Sequence, residues 1–173
     1  MNTLHQTNRV HGVRTSRFLV RSLCLSIALL GGGIAAAEAD SAKMVGAWKA
    51  HIQQIDCVSG QAVADPFDTL TMYYADGNAL EQPYSNPASR TASYGSWVKT
   101  GKRTYAAHSQ FGLLDANGFN VGYMTIERMN TLAKDGQTFE TKAKNTFYDL
   151  SDAPLFSGCA TGTGERLPKP TPF

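Results

Sequence analysis

Apolar and polar residues alternate with a period near two along most of the chain after residue 45. The clearest run is TFETKAKNTFYDL, in which Glu140, Lys142 and Lys144 share one face. Successive side chains of a strand point to opposite faces, so the other face of this run is predicted to face a core: Phe139, Thr141, Ala143, Asn145 and Phe147. No window of eleven or more residues has a convincing period of 3.6, so the pattern predicts an all-β protein.

Short turn sequences separate these runs. YADGN, KTGKR, LDANG and AKDGQ contain Asp-Gly, Asn-Gly or Thr-Gly pairs, and LSDAP is a looser turn of the same kind. Between the turns and the longer connections VSGQAVADP and QPYSNPASRTA we predict eight strands, at 46–57, 67–75, 78–83, 93–100, 103–114, 119–132, 137–149 and 155–166.

Sequential hairpins without a long crossover are typical of an up-and-down meander. Eight such strands, several of them long, are better closed into a barrel than left open, because closure removes exposed strand edges. The sequence therefore predicts a single domain at 40–167, an eight-stranded antiparallel up-and-down barrel. The proline-rich residues 168–173 are predicted to form a loose tail.

The first 39 residues have the composition of a secretory signal peptide. Four arginines precede the apolar run SLCLSIALLGGGIAAA, and small residues near Ala37 and Ala39 offer cleavage sites. The run is shorter than the ~20 residues that a membrane span needs, and three glycines interrupt it, which favours cleavage over an uncleaved anchor. We therefore expect a periplasmic or secreted protein with no stable membrane insertion after the leader is removed.

Charge and residue types exclude several function classes. From Asp40 onward the chain has twelve Lys and Arg against thirteen Asp and Glu, so a nucleic-acid partner has no electrostatic basis. This part contains no CxxC, and its two histidines, His51 and His108, are far apart, so we expect no metal site. We also expect no cofactor, because no phosphate loop, Ser-His-Asp order or carboxylate pair rises above background.

Cys57 and Cys159 are the cysteines that remain after the leader. In a closed up-and-down barrel the first and last strands are antiparallel neighbours, which places both cysteines at the same rim. Export to an oxidising compartment favours a disulfide between them over two buried thiols.

Two motifs resemble a known family. Gly46-Ala47-Trp48 resembles the G-x-W of lipocalins and their calycin relatives, and SGCATGTGERL is similar to the last strand of exported bacterial lipocalin-like proteins. The resemblance implies that Trp48 plugs the closed end of the barrel. The helix that usually follows a lipocalin barrel and the T-D-Y signature are both missing. Allene-oxide-cyclase-like barrels share the general shape and include cyclising enzymes, so the fold alone does not separate an enzyme from a binding protein.

Alternation also predicts which residues face the barrel interior. If Leu132 pairs with Phe139, then Met124, Ile126, Arg128 and Asn130 point inward. An inward Arg128 needs an anionic or carbonyl partner, and either it stacks on Trp48, as a basic residue near the base of lipocalin barrels does, or it contacts a ligand. Three aromatic residues are candidates for a pocket wall or for plain core: Tyr73, Trp97 and Tyr105. Both histidines are predicted to lie on the outer surface.

These observations leave three functional hypotheses. The first is binding of a small apolar or amphipathic molecule in a mostly apolar cavity, with Asn145, Arg128 and a tyrosine as polar contacts. The second is a cyclase or isomerase that uses such a cavity, and the third is a filled barrel with a structural or interaction role. An inward acid or histidine deep in the cavity would favour the enzyme. The sequence places none there, which favours binding.

Overall fold

The computed structural model describes residues 43–84 and 87–171, and the proposed leader lies outside them. A short 3-10 helix spans Pro87–Ser89. Within the described ranges, no helix has the length and apolar character that crossing a membrane requires. Eight strands make up the rest of the regular structure: β1 (Gly46–Ile55), β2 (Phe67–Tyr73), β3 (Asn78–Pro83), β4 (Ser93–Lys99), β5 (Thr104–Leu114), β6 (Asn120–Leu132), β7 (Thr138–Tyr148) and β8 (Pro154–Arg166).

The strands form a closed antiparallel up-and-down barrel. Each strand pairs with the next in sequence, and β8 closes the barrel by pairing with β1 over Trp48↔Arg166 to Ile55↔Cys159. This confirms the predicted fold, and every predicted strand end lies within two residues of the observed one.

Aspartate side chains hold several of the turns that the sequence marked. Asp115 Oδ1 accepts hydrogen bonds of 2.9 Å from the backbone N–H groups of Asn117 and Phe119. Asp149 Oδ1 does the same for Ser151 and Ala153, at 2.8 and 3.0 Å. An aspartate carboxylate that accepts from the backbone N–H groups of its own turn replaces the hydrogen bonds that these groups would otherwise make to a neighbouring strand. The strands therefore end at these aspartates.

One half of the barrel is tightly packed; we call it the packed half. Its centre is Trp48, fully buried, whose Nε1 donates to the Met44 carbonyl at 3.0 Å and whose ring meets Phe139 edge-on at 5.1 Å. A Cβ on Gly164 would overlap the Phe139 ring, so the glycine makes room for this contact. The buried cluster comprises Met44, Trp48, Ala50, Tyr73, Trp97, Tyr105, Leu132 and Phe139.

Arg166, and not Arg128, stacks on Trp48. The Arg166 guanidinium lies 4.1 Å from the indole centroid and donates to the carbonyls of Val45, Lys43 and Gly136. The hypothesis that Arg128 fills this place is wrong. Arg128 lies four residues along β6 from Leu132, which puts it about 13 Å from that end of the barrel.

The predicted disulfide is present. Cys57 and Cys159 are bonded with their Cα atoms 5.1 Å apart. Cys57 lies in the turn just after β1, and Cys159 pairs with Ile55 on β8. The bond therefore joins the barrel seam at the end opposite Trp48.

Candidate functional site

The other half of the barrel, between the packed half and the disulfide, contains a cavity of about 270 Å³; we call it the open half. The cavity extends to the rim, where exposed Ser89 is part of its wall. Most of its wall is apolar: Ile52, Phe67, Pro83, Phe111, Leu113, Met124, Ile126, Ala143 and Ala160. Such a wall favours the apolar part of a ligand over water.

Strands β6 and β7 supply much of this wall, as their alternation predicted. Met124, Ile126 and Arg128 line it from β6, while Glu127 between them is exposed. Thr141, Ala143 and Asn145 line it from β7, with the lysines between them exposed. The predicted inward faces of both strands are confirmed, and they bring Arg128 and Asn145 to one cavity.

The floor of the cavity is a buried ion cluster centred on Glu81 of β3. The Glu81 side chain is about 6% exposed. Its Oε2 lies 2.6 Å from Arg128 Nη1, and its Oε1 lies 3.1 Å from Arg90 Nη2. Thr71 Oγ1 donates to the same carboxylate at 3.4 Å. Arg128 thus has the anionic partner that its inward position requires, because a buried charge without one is very costly.

The charges in this cluster are fixed near neutral pH. Burial by itself would raise the pKa of Glu81, but Arg128 and Arg90 outweigh it and hold that pKa below its ordinary value. Burial opposes the charge of Arg128 too, yet the Glu81 carboxylate raises the Arg128 pKa above its ordinary value. Glu81 is therefore an ionised partner for the two arginines and not a group poised to exchange a proton.

Arg90 reaches the cavity from the connection between β3 and β4. Its guanidinium carbon lies over the Phe111 ring, 4.3 Å from the ring centroid, so the ring helps to hold the guanidinium in place. Its Nη2 is used by Glu81, but its Nη1 is buried and has no hydrogen-bond partner among the described residues. The cluster thus retains an unused charged donor beside the cavity.

The aromatic candidates lie beneath this floor. Tyr73, Trp97 and Tyr105 belong to the buried cluster of the packed half, and the two ring pairs meet edge-on at 6.0 and 5.8 Å. None of the three lines the cavity in the described structure. The Tyr73 hydroxyl accepts a hydrogen bond from Asn130 Nδ2 at 2.9 Å. It also lies close enough to Arg128 to help raise the pKa of that arginine. Tyr73 therefore supports the floor from below.

Sequence reasoning missed Glu81 and Arg90. In NALEQP the apolar Leu80 looks like the inward residue, yet Glu81 is the buried one. The usable signal was the register of the YADGN hairpin, which pairs Tyr73 with Ala79 and Thr71 with Glu81. Residues paired across antiparallel strands share a face, so an inward Tyr73 implies an inward Glu81. Arg90 lies in an irregular connection, where no periodicity applies.

Both histidines lie outside the cavity, as predicted. His108 is exposed on β5, and exposed His51 Nδ1 lies 2.8 Å from Asp68 on the outer wall. Over residues 43–84 and 87–171, no three His, Cys, Asp or Glu side chains are grouped so that they could hold a metal ion. With the Glu81 cluster as its floor, the described cavity offers apolar contact, an excess of positive charge and hydrogen-bond donors.

Comparison with known proteins does not assign the chain to a family. No family model matches the chain, and no curated protein matches its sequence. The cavity and its lining residues are therefore the basis for assigning a function.

Proposed function

We propose that this protein is a lipocalin-like binding protein that holds a small amphipathic molecule in the open half of its barrel. The observation that carries the proposal is the contrast inside one barrel. The packed half is filled by large side chains, while the open half keeps a cavity of about 270 Å³ with apolar walls and a charged floor. A barrel with a purely structural role is expected to be filled by its own side chains from end to end.

The volume limits the size of the ligand. Pockets for small molecules usually measure about 300–1,000 Å³. The cavity is just below that range, so it suits a ligand of about ten heavy atoms, or the buried part of a longer one that projects past the rim at Ser89.

An enzyme of the cyclase or isomerase type is the second candidate, because Glu81 is the inward acid that such chemistry would use. The arrangement of the charges argues against it. Both carboxylate oxygens are occupied by arginines, and the pKa of Glu81 is lowered, whereas a general base works best with a pKa near the working pH.

Filling the cavity tests the proposal. Ala143→Phe places a ring in the cavity from β7, whereas Lys144→Phe adds the same ring on the outer face one residue away. We expect the first variant to lose binding of a neutral apolar fluorescent probe at least about tenfold while its thermal midpoint stays close to that of the wild type. The second should bind the probe as the wild type does. A wild-type protein that binds no apolar probe, or an Ala143→Phe variant that binds it undiminished, would contradict cavity binding.

Export is also part of the proposal. The disulfide is typical of an oxidising compartment, and the leader-like residues 1–39 supply the address. Mature protein that begins at Glu38 or Asp40 is the expected result of intact-mass analysis on secreted or periplasmic material. A mass that retains the first 37 residues would contradict a cleaved leader.

A further inference from the structure

We infer that the ligand carries a single carboxylate, that Arg90 binds this group with Arg128 behind it, and that the apolar body extends along the cavity wall toward the rim. The inference depends on the proposed ligand binding and adds the chemical class of the ligand.

The charge balance of the floor supports an anion. Among the residues that line the described cavity, two arginines face one carboxylate, which leaves one excess positive charge. All three side chains are less than 10% exposed, so water screens this charge poorly. A monoanion beside the arginines brings the floor to neutrality, whereas a cation would add to the imbalance.

The hydrogen-bond donors point to the same group. Arg90 Nη1 is buried without a partner, and so is Thr141 Oγ1, which also belongs to the cavity wall. An unsatisfied buried donor costs free energy that an acceptor on a ligand recovers. A carboxylate supplies two acceptor oxygens, and the Arg90 guanidinium, which lies over the Phe111 ring, offers it a charged donor.

Glu81 is not available to bind a basic ligand. Its Oε1 and Oε2 are each paired with an arginine, at 3.1 and 2.6 Å. An ammonium group would have to displace one of these arginines and leave it buried without its partner. The floor therefore selects against amines as well as for carboxylates.

The arrangement predicts a specific preference in a matched ligand series. Octanoate, 1-octanol and octylamine share one chain length and differ in the head group, so their affinities at pH 7 isolate the contribution of the floor. We expect the mature protein to bind octanoate at least about tenfold more tightly than octanol in isothermal titration, because charge-assisted hydrogen bonds are roughly twice as strong as the neutral ones that octanol can form. Octylamine should bind most weakly.

Substitution of Arg90 locates the effect. In Arg90→Gln the Glu81–Arg128 pair remains, so the barrel keeps its buried ion pair while the excess charge and the free donor are lost. We expect octanoate affinity to fall to that of octanol, with octanol affinity unchanged. Lys144→Gln, which removes a positive charge from the outer face, is the control and should keep the wild-type preference.

The outcomes separate this inference from the proposed function. Octanol bound as tightly as octanoate, octylamine bound most tightly, or an Arg90→Gln variant that still prefers octanoate would each overturn the carboxylate inference and leave cavity binding in place. Failure of all three ligands and of the neutral probe to bind the wild type would overturn both.

Discussion

The two halves of this barrel use the same alternating strands for opposite purposes. In the packed half Trp48, Tyr73, Tyr105 and Leu132 are at most 1% exposed and fill the interior. In the open half residues of the same strands, such as Ile126 on β6, leave a cavity between them. The difference shows that the packing that stabilises the barrel is concentrated at one end, which frees the other end for a site.

The Glu81 cluster forms the boundary between the halves. Below it the interior is filled largely by aromatic side chains, and above it the wall is apolar but reaches the rim. An ion cluster is costly to bury, and replacing such a cluster with apolar residues often stabilises a protein. The proposed binding of an anionic ligand would account for its presence here with one positive charge in excess.

The largest expected effect is at this boundary. Glu81→Gln leaves Arg90 and Arg128 buried beside each other without an anion, and we expect a loss of about 3–5 kcal/mol in the free energy of unfolding. Urea denaturation measures it, and Glu127→Gln, on the exposed side of β6, is the control with almost no loss. A loss below about 1 kcal/mol would mean that the cluster is not a buried, coupled unit.

Two substitutions on β6 compare the halves directly. Leu132→Ala removes a side chain that is 1% exposed in the packed half, and we expect it to cost about 3–4 kcal/mol, since the surroundings cannot collapse into the space. Ile126→Ala removes a half-buried side chain from the wall of an existing cavity and should cost less, about 2 kcal/mol. Equal losses in chemical denaturation would show that the open half is as tightly packed as the other.

The disulfide stabilises the half that packing stabilises least. Cys57→Ser or reduction should lower the free energy of unfolding by about 2–4 kcal/mol, because the bond closes a loop with a sequence separation of 102 residues in the unfolded chain. The all-β circular dichroism spectrum should persist, since Trp48 and its neighbours lie at the far end. Two thiols that react in the native, unreduced protein would contradict the bond.

The sequence predicted the strands well and the floor of the site poorly, for one physical reason. On β7 the outward residues are charged and the inward ones mostly apolar, so alternation gave the correct face for Thr141, Ala143 and Asn145. On β3 the pattern is reversed, because the charged Glu81 is the buried residue and the apolar Leu80 is only half-buried. Periodicity identifies burial only where burial and hydrophobicity coincide.

The contact with Trp48, which the sequence suggested for Arg128 and which Arg166 makes, shows a second limit. Both arginines lie on long strands that end near the packed half. The sequence does not tell which of the two lies level with Trp48. The β1–β8 register, which pairs Trp48 with Arg166, decides it. Long-range register is set by barrel closure, which no local pattern encodes.

Acid should destabilise the boundary by protonating Glu81. The pKa of Glu81 is depressed in the folded state, so its contribution to stability is complete above its unfolded pKa of about 4.3 and is lost as the pH falls through the folded value. We therefore expect no change in stability from Glu81 between pH 6 and 8, and a decline at lower pH.

A turn aspartate, Asp149, provides the control for the effect of acid on Glu81. Asp149, which accepts bonds from its own turn, also has a lowered pKa and adds to the decline. Urea denaturation from pH 7 to 3 should therefore show a shallower decline in the free energy of unfolding for Glu81→Gln than for the wild type. The Asp149→Asn variant measures the part of the decline that comes from the turn. Parallel curves for Glu81→Gln and the wild type would contradict an ionised Glu81.

The smallest expected change in stability is on the wall of the open half. Asn145→Leu replaces a half-buried amide that lines the cavity opposite Gly158, and the cavity accommodates the new side chain without displacing a neighbour. We expect the free energy of unfolding to change by less than about 1 kcal/mol. The affinity for an amphipathic ligand should change several-fold, because a polar contact on the cavity wall becomes apolar. Lys144→Leu, the same replacement on the outer face, should leave ligand affinity unaltered. An Asn145→Leu variant that is strongly destabilised but binds its ligand normally would place Asn145 in a filled core, and the open half would then be no different from the packed one.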